Sequence, residues 1–124
     1  MIRIEDVIYA HQWLIQETGG SIGIRDKNLL ESAINAPFAS FGGSYLYPTI
    51  QEQAARLAYG LVNNHPFIDG NKRTGVLIML TFLESNGINL DYSDNDLIIL
   101  GLSLADGTYN YDDVLEFILK HEIK

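Results

Sequence analysis

The run VLIMLTFL, Val76 to Leu83, constrains this chain more than any other feature. It is apolar nearly all round a helix, and such a helix needs neighbours on every side to keep it from water. The preceding sequence offers them. Ile50, Ala54, Leu57, Ala58, Leu61 and Val62 form one stripe at helical spacing, and Ile4, Val7, Ile8, His11, Leu14 and Ile15 form another. Amphipathic helices around an apolar rod are the elements of a bundle.

Punctuation places the helices. The first stops at Gly19-Gly20; Asp26 can cap a second, KNLLESAIN, which ends before Pro37. Thr49 with Glu52 forms a capping box for the third, which reaches about Asn63. The fourth starts near Asn71, its expected N-cap, and runs to about Ser85, with Asn86-Gly87 ending it. Ser93 with Asp96 caps a fifth through LIILGLSLA, and Asn110 a sixth with Tyr111, Val114, Leu115 and Ile118 inward. PFASFGGSYLYP reads as an exposed loop or short hairpin, and INLDY as a short extended connector; no convincing strand pair appears. The expectation is an all-α compact bundle of about six helices with a short flap loop or hairpin, one domain over residues 1–124.

Composition excludes several functions. Hydrophobic residues make up 47% of 124, enough for a real core, and formal net charge is -8. A phosphate-backbone binder normally shows a basic face, so nucleic acid is not expected as a main partner. The chain has no cysteine, which excludes disulfides and thiol catalysis. The start MIRIEDVIYAHQ has no apolar signal region, and Val76 to Leu80 is far too short to span a bilayer. A cytoplasmic protein without a membrane partner is expected.

Against this acidic background NNHPFIDGNKRTG, Asn63 to Gly75, stands out. Pro66 blocks continuation of the third helix, Asp69-Gly70 signals a turn, and Lys72, Arg73 and Thr74 fall in the first turn of the apolar helix. A helix N-terminus disfavours cations by roughly 0.3–1 kcal/mol each. Either Lys72 and Arg73 pair with local carboxylates such as Asp69, or they wait for an anion. Free N–H groups, a permissive glycine and two cations make a phosphate cradle. His65 is suited to general-base work near neutral pH. Asp69 offers a hard oxygen suited to Mg²⁺ beside phosphates. Base, metal ligand and phosphate donors in this order are the parts of phosphoryl transfer. His11 reads as a core or interface histidine, and His121 as a solvated tail residue.

HPFIDGNKRTG resembles the core motif of the Fic/Doc superfamily, and NKR its Doc (death-on-curing) branch; GGSIGIRDKNLLESAINAP and FGGSYLYPT extend the resemblance over most of the chain. The resemblance implies a compact helical bundle. Fic enzymes generally transfer AMP from ATP to a protein hydroxyl, but they have glycine where this chain has Lys72 and a second arginine where it has Val76. Doc-type proteins share the lysine. They are toxins of toxin–antitoxin pairs that move the γ-phosphate of ATP to a threonine of elongation factor Tu, and a Phd-type antitoxin neutralises them. A phage member of the branch carries a polar residue where this chain has Leu77.

Carried over, His65 would take the threonine proton and Asp69 would hold Mg²⁺. Asn71 would contact metal or phosphate oxygens. Lys72 and Arg73 would neutralise the β- and γ-phosphates of ATP, helped by the backbone N–H groups of Gly70 and Asn71. Thr74 would cap or touch phosphate, Phe67 would anchor the loop, and FGGSYLYP would be the flap beside the site. The alternatives are Fic-type AMP transfer and a non-catalytic antitoxin-binding module.

Overall fold

The computed structural model describes residues 2–124, which form six α-helices and one small hairpin. Helix α1 spans Ile4–Thr18, α2 Lys27–Asn35, α3 Ile50–Asn63, α4 Asn71–Ser85, α5 Asp94–Ala105 and α6 Tyr111–His121. Four begin at the side-chain caps their sequences offer. Asp26 accepts from Leu29 N–H at 3.0 Å, and Thr49–Glu52, Ser93–Asp96 and Asn110–Asp113 close reciprocal boxes. Such caps are worth about 1 kcal/mol each.

Helix α1 starts after Arg3 with no side-chain cap bond, and α4 departs from the cap its sequence offers. Asn71 is its first residue, not its cap; the cap position is Gly70, in the left-handed region at φ 78° with no side-chain bond. Asn71 is diverted because its side chain clasps the backbone of Phe67 four residues earlier.

The core forms where α3 and α4 cross. Ala54, Ala55 and Ala58 are fully buried, and Gly75 lets the helices close: a Cβ there would stand 2.7 Å from Val62 Cγ2. Leu57, Leu61, Met79 and Leu83 fill the crossing, with Val7 of α1, Leu30 of α2, Leu100 of α5 and Val114 and Ile118 of α6 around them. Each such side chain contributes roughly 1.5–3 kcal/mol by burial. The apolar run is not enclosed on every side, however. Ile78, Met79, Phe82 and Leu83 are buried, but Val76, Leu77 and Leu80 are only partly covered. They floor an open apolar groove of about 400 Å³, walled by Leu14 of α1 and Leu97, Ile98 and Leu102 of α5.

The glycine-rich segment takes the hairpin alternative. Strand β1, Ser40–Phe41, pairs antiparallel with β2, Ser44–Tyr45. Gly42 and Gly43 both have positive φ, 61° and 83°, as a two-residue hairpin turn requires. The INLDY connector is extended as expected: Asp91 N–H donates to His121 O at 2.7 Å, and Ile123 N–H to Asn89 O at 2.9 Å. His121 is not a solvated tail residue. It stacks on Phe117, its Nδ1 lies 2.8 Å from Phe117 O, and its Nε2 lies 3.6 Å from Asp96.

Candidate active site

The loop joining α3 to α4, residues 64–70, is held from three directions. Pro66 ends the α3 pattern and is buried, as is Phe67. The segment before α2 runs antiparallel to the loop, with Ile24 bridged to Phe67. Arg25 and Asp26 N–H donate to Pro66 O at 2.7 and 3.0 Å, and Ile68 N–H donates to Gly23 O at 3.1 Å. From α1, the His11 ring stacks on Phe67 at 3.8 Å, and its Nε2 lies 2.7 Å from Asp69 O. From α4, Asn71 Oδ1 accepts from Phe67 N–H at 2.9 Å while Nδ2 donates to Phe67 O at 3.0 Å.

This bracing presents the motif to one cleft. His65, Asp69, Gly70, Asn71, Lys72 and Arg73 line a cavity of about 350 Å³, together with Val62, Ile68 and Ala105. Thr74 N–H makes the first intrahelical bond, to Gly70 O at 2.9 Å, so the N–H groups of Asn71, Lys72 and Arg73 precede the helix ladder. The positive end of the α4 dipole and two cations therefore converge there.

Asp69 is fixed by backbone. Its Oδ2 accepts from Ser21 N–H at 3.2 Å and its Oδ1 from Gly70 N–H at 2.8 Å, with Arg73 Nη2 3.8 Å away. The Ser21 and Gly70 N–H groups, then the Arg73 charge, hold its carboxyl below the usual carboxylate value. Arg73 Nη1 donates to Thr18 Oγ1 and, at 3.0 Å, to Gly19 O at the end of α1. Lys72 has no ion-pair partner among the described residues. Its stem lies against Gly101 of α5, where an added Cβ would stand 3.0 Å from Cγ.

Three expected roles change. The Gly70 N–H donates to Asp69 Oδ1 at 2.8 Å, so it fixes the carboxylate and is not free for a phosphate. Both polar atoms of the Asn71 side chain are committed to Phe67, so only its backbone N–H faces an anion. Thr74 neither caps nor reaches the cleft; it is fully buried and its Oγ1 lacks a partner among the described residues. Leu77, with Val76, lines the apolar groove and not the cleft. Arg25, His11 and the Gly20–Ser21 turn belong to the site's frame although no spacing rule marks them. The one sequence hint is that His11 interrupts an otherwise apolar helix stripe.

The residues present suit a polyphosphate: N–H groups, a lysine without a carboxylate partner and an arginine share one cleft. They also suit Mg²⁺ held in part by such a ligand. Asp69 gives one carboxylate, and among the described residues no group of three or more His, Asp or Glu could hold a metal. The remaining positions would fall to phosphate oxygens and water.

The apolar central helix of the bundle thus begins in a braced cleft that holds a histidine, a carboxylate and two cations. The model of the Fic/DOC family matches residues 1–83, two thirds of the 124, and the chain belongs to that family. It is similar to Toxin Doc of Mycolicibacterium smegmatis (strain ATCC 700084 / mc(2)155), with 42% identity over 72 residues, 58% of this chain and 55% of the relative. The match thus spans about half the length of that relative.

Proposed function

We propose that this chain is a Doc-type toxin that moves the γ-phosphate of ATP to a threonine of elongation factor Tu and so halts translation in the cytoplasm. The observation that carries the reading is the sharing of one cleft by His65, Asp69, Lys72, Arg73 and the first-turn N–H groups of α4. His65 accepts the proton of the threonine hydroxyl as that oxygen bonds to the γ-phosphorus and the bond to the β–γ bridging oxygen breaks. ADP leaves and the proton remains on His65. Lys72 and Arg73 offset charge on the β- and γ-phosphates, and the Asn71 N–H, one of the first-turn N–H groups of α4, orients them. Asp69 would hold Mg²⁺, which draws charge from the phosphate oxygens when bound.

A Phd-type antitoxin is the proposed partner. The apolar groove between α1, α4 and α5 suits an amphipathic segment of such a protein, and it shares Lys72 and Arg73 with the cleft. No helix among the described residues is long and apolar enough to cross a membrane.

Incubation with elongation factor Tu and ATP labelled separately at the α- and γ-phosphates tests the reaction. Label from the γ position, lost in His65→Ala, is expected. Label from the α position alone would replace the kinase reading by AMP transfer. Equal growth arrest by wild type and His65→Ala with no label transferred would leave a non-catalytic binding module.

A further inference from the structure

We propose that Arg25 is a positioning residue for His65, an inference that rests on His65 acting as the base. His65 has φ 48°, and it is the one non-glycine among the described residues with positive φ. A side chain held there opposes its own backbone preference, so the surroundings must impose the conformation. Arg25 is placed to impose it. Its Nε donates to His65 O at 2.6 Å and its Nη2 to Asn64 O at 2.9 Å. Those carbonyls belong to the two peptide planes that flank the His65 Cα. The orientation of the two planes is what φ and ψ describe, so one planar guanidinium sets both angles and, with them, the direction of the imidazole. The Arg25 N–H extends the hold to Pro66 O at 2.7 Å.

Among the described residues the guanidinium has no hydrogen bond besides these two. Among the described residues Arg25 has no carboxylate partner. A purely structural role is the alternative: a cation beside the last carbonyls of α3 is favourable wherever its charge sits. Lysine separates the two roles. It keeps the charge at the helix end but is a single point donor and cannot fix two planes.

The test compares wild type, Arg25→Lys, Arg25→Gln and His65→Ala as full chains with elongation factor Tu and γ-labelled ATP. Arg25→Lys is expected to melt within a few degrees of wild type and to keep KM for ATP within about twofold. Its kcat should fall roughly ten- to a hundredfold, the scale of a misplaced catalytic group. Arg25→Gln should fall at least as far. In nucleotide-free protein, the His65 backbone ¹³C shifts should leave their left-handed values in both variants. Unchanged shifts and wild-type kcat in Arg25→Lys would overturn the proposal while His65→Ala remains inactive. If His65→Ala labels as well as wild type, the base assignment fails instead and the positioning role falls with it.

Discussion

Thr74→Val is the substitution whose outcome the structure fixes most sharply. Thr74 is fully buried in the first turn of α4, and its Oγ1 has no hydrogen-bond partner among the described residues. An unsatisfied buried hydroxyl costs about 1–3 kcal/mol. Valine has the same branched shape and nearly the same helix propensity, so the hydroxyl is the main thing removed. The lower end, a gain of about 1 kcal/mol, is expected because the new methyl must fit a space shaped for oxygen. Unfolding entropy of roughly 2.1 cal/mol/K per residue over 124 residues is about 0.26 kcal/mol/K, so Tm should rise by about 4 °C. Thr74→Ser keeps the hydroxyl and deletes a buried methyl, and should lose about 1 kcal/mol. Thermal melts of the three proteins by circular dichroism decide the matter. A Thr74→Val protein that melts below wild type, with Thr74→Ser equal to wild type, would mean that the hydroxyl has a partner and the reasoning is wrong. Nucleotide titration adds an independent check: Thr74 does not line the cleft, so ATP affinity should not change in Thr74→Val.

A Cβ on Gly20, at φ 117°, would stand 2.5 Å from Asp69 Oδ2 and 3.2 Å from Arg73 Nη2, so Gly20→Ala should displace both and cut label transfer at least about tenfold; wild-type transfer would refute this. Gly101→Ala gains roughly 1 kcal/mol of helix propensity but pushes the Lys72 stem aside, so melting should change little while KM for ATP rises. The Asp69 carboxyl is held below its ordinary 3.8, so the folded state binds fewer protons than the unfolded chain as the medium acidifies. Its stabilisation is complete above the ordinary value and is lost as pH falls through the lowered one; Asp69→Asn should flatten the acid limb of urea midpoints, and parallel limbs would refute it. Burial first, then the Glu52 charge, pushes the Tyr111 hydroxyl up to about 12. Its contribution is present below the ordinary value near 10 and lost as pH rises through about 12, and an alkaline absorbance titration should lose its latest step in Tyr111→Phe.

Helix positions were legible because periodicity and caps are local. Thr49, Ser93 and Asn110 each form the bond that the residue three further on implies. The α4 start was misplaced by one residue because Asn71 is both a good cap and a good clasp, and only the folded loop shows that Phe67 wins. The cleft residues were legible because they are contiguous in the motif. Their supports were not: Arg25 lies about forty residues from the carbonyls it holds, and His11 58 residues from the Asp69 carbonyl. Such pairings follow from topology, which no spacing rule encodes.

The two adjacent cations at the head of α4 turn out to be unlike. Arg73 reaches the C-terminal end of α1, where it donates to Gly19 O and Thr18 Oγ1, and it lies 3.8 Å from Asp69. The negative end of one helix dipole thus offsets the cost of a cation at the positive end of another. Arg73 is accounted for by the fold alone. Lys72 is not. It sits in the same helix turn with no carboxylate partner among the described residues, and α5 keeps a glycine where its stem passes. A site that tolerates an uncompensated ammonium beside free N–H groups is most stable when an anion arrives. The phosphate reading therefore depends on Lys72 more than on Arg73, and Lys72→Met should weaken ATP binding while raising the stability of the nucleotide-free chain.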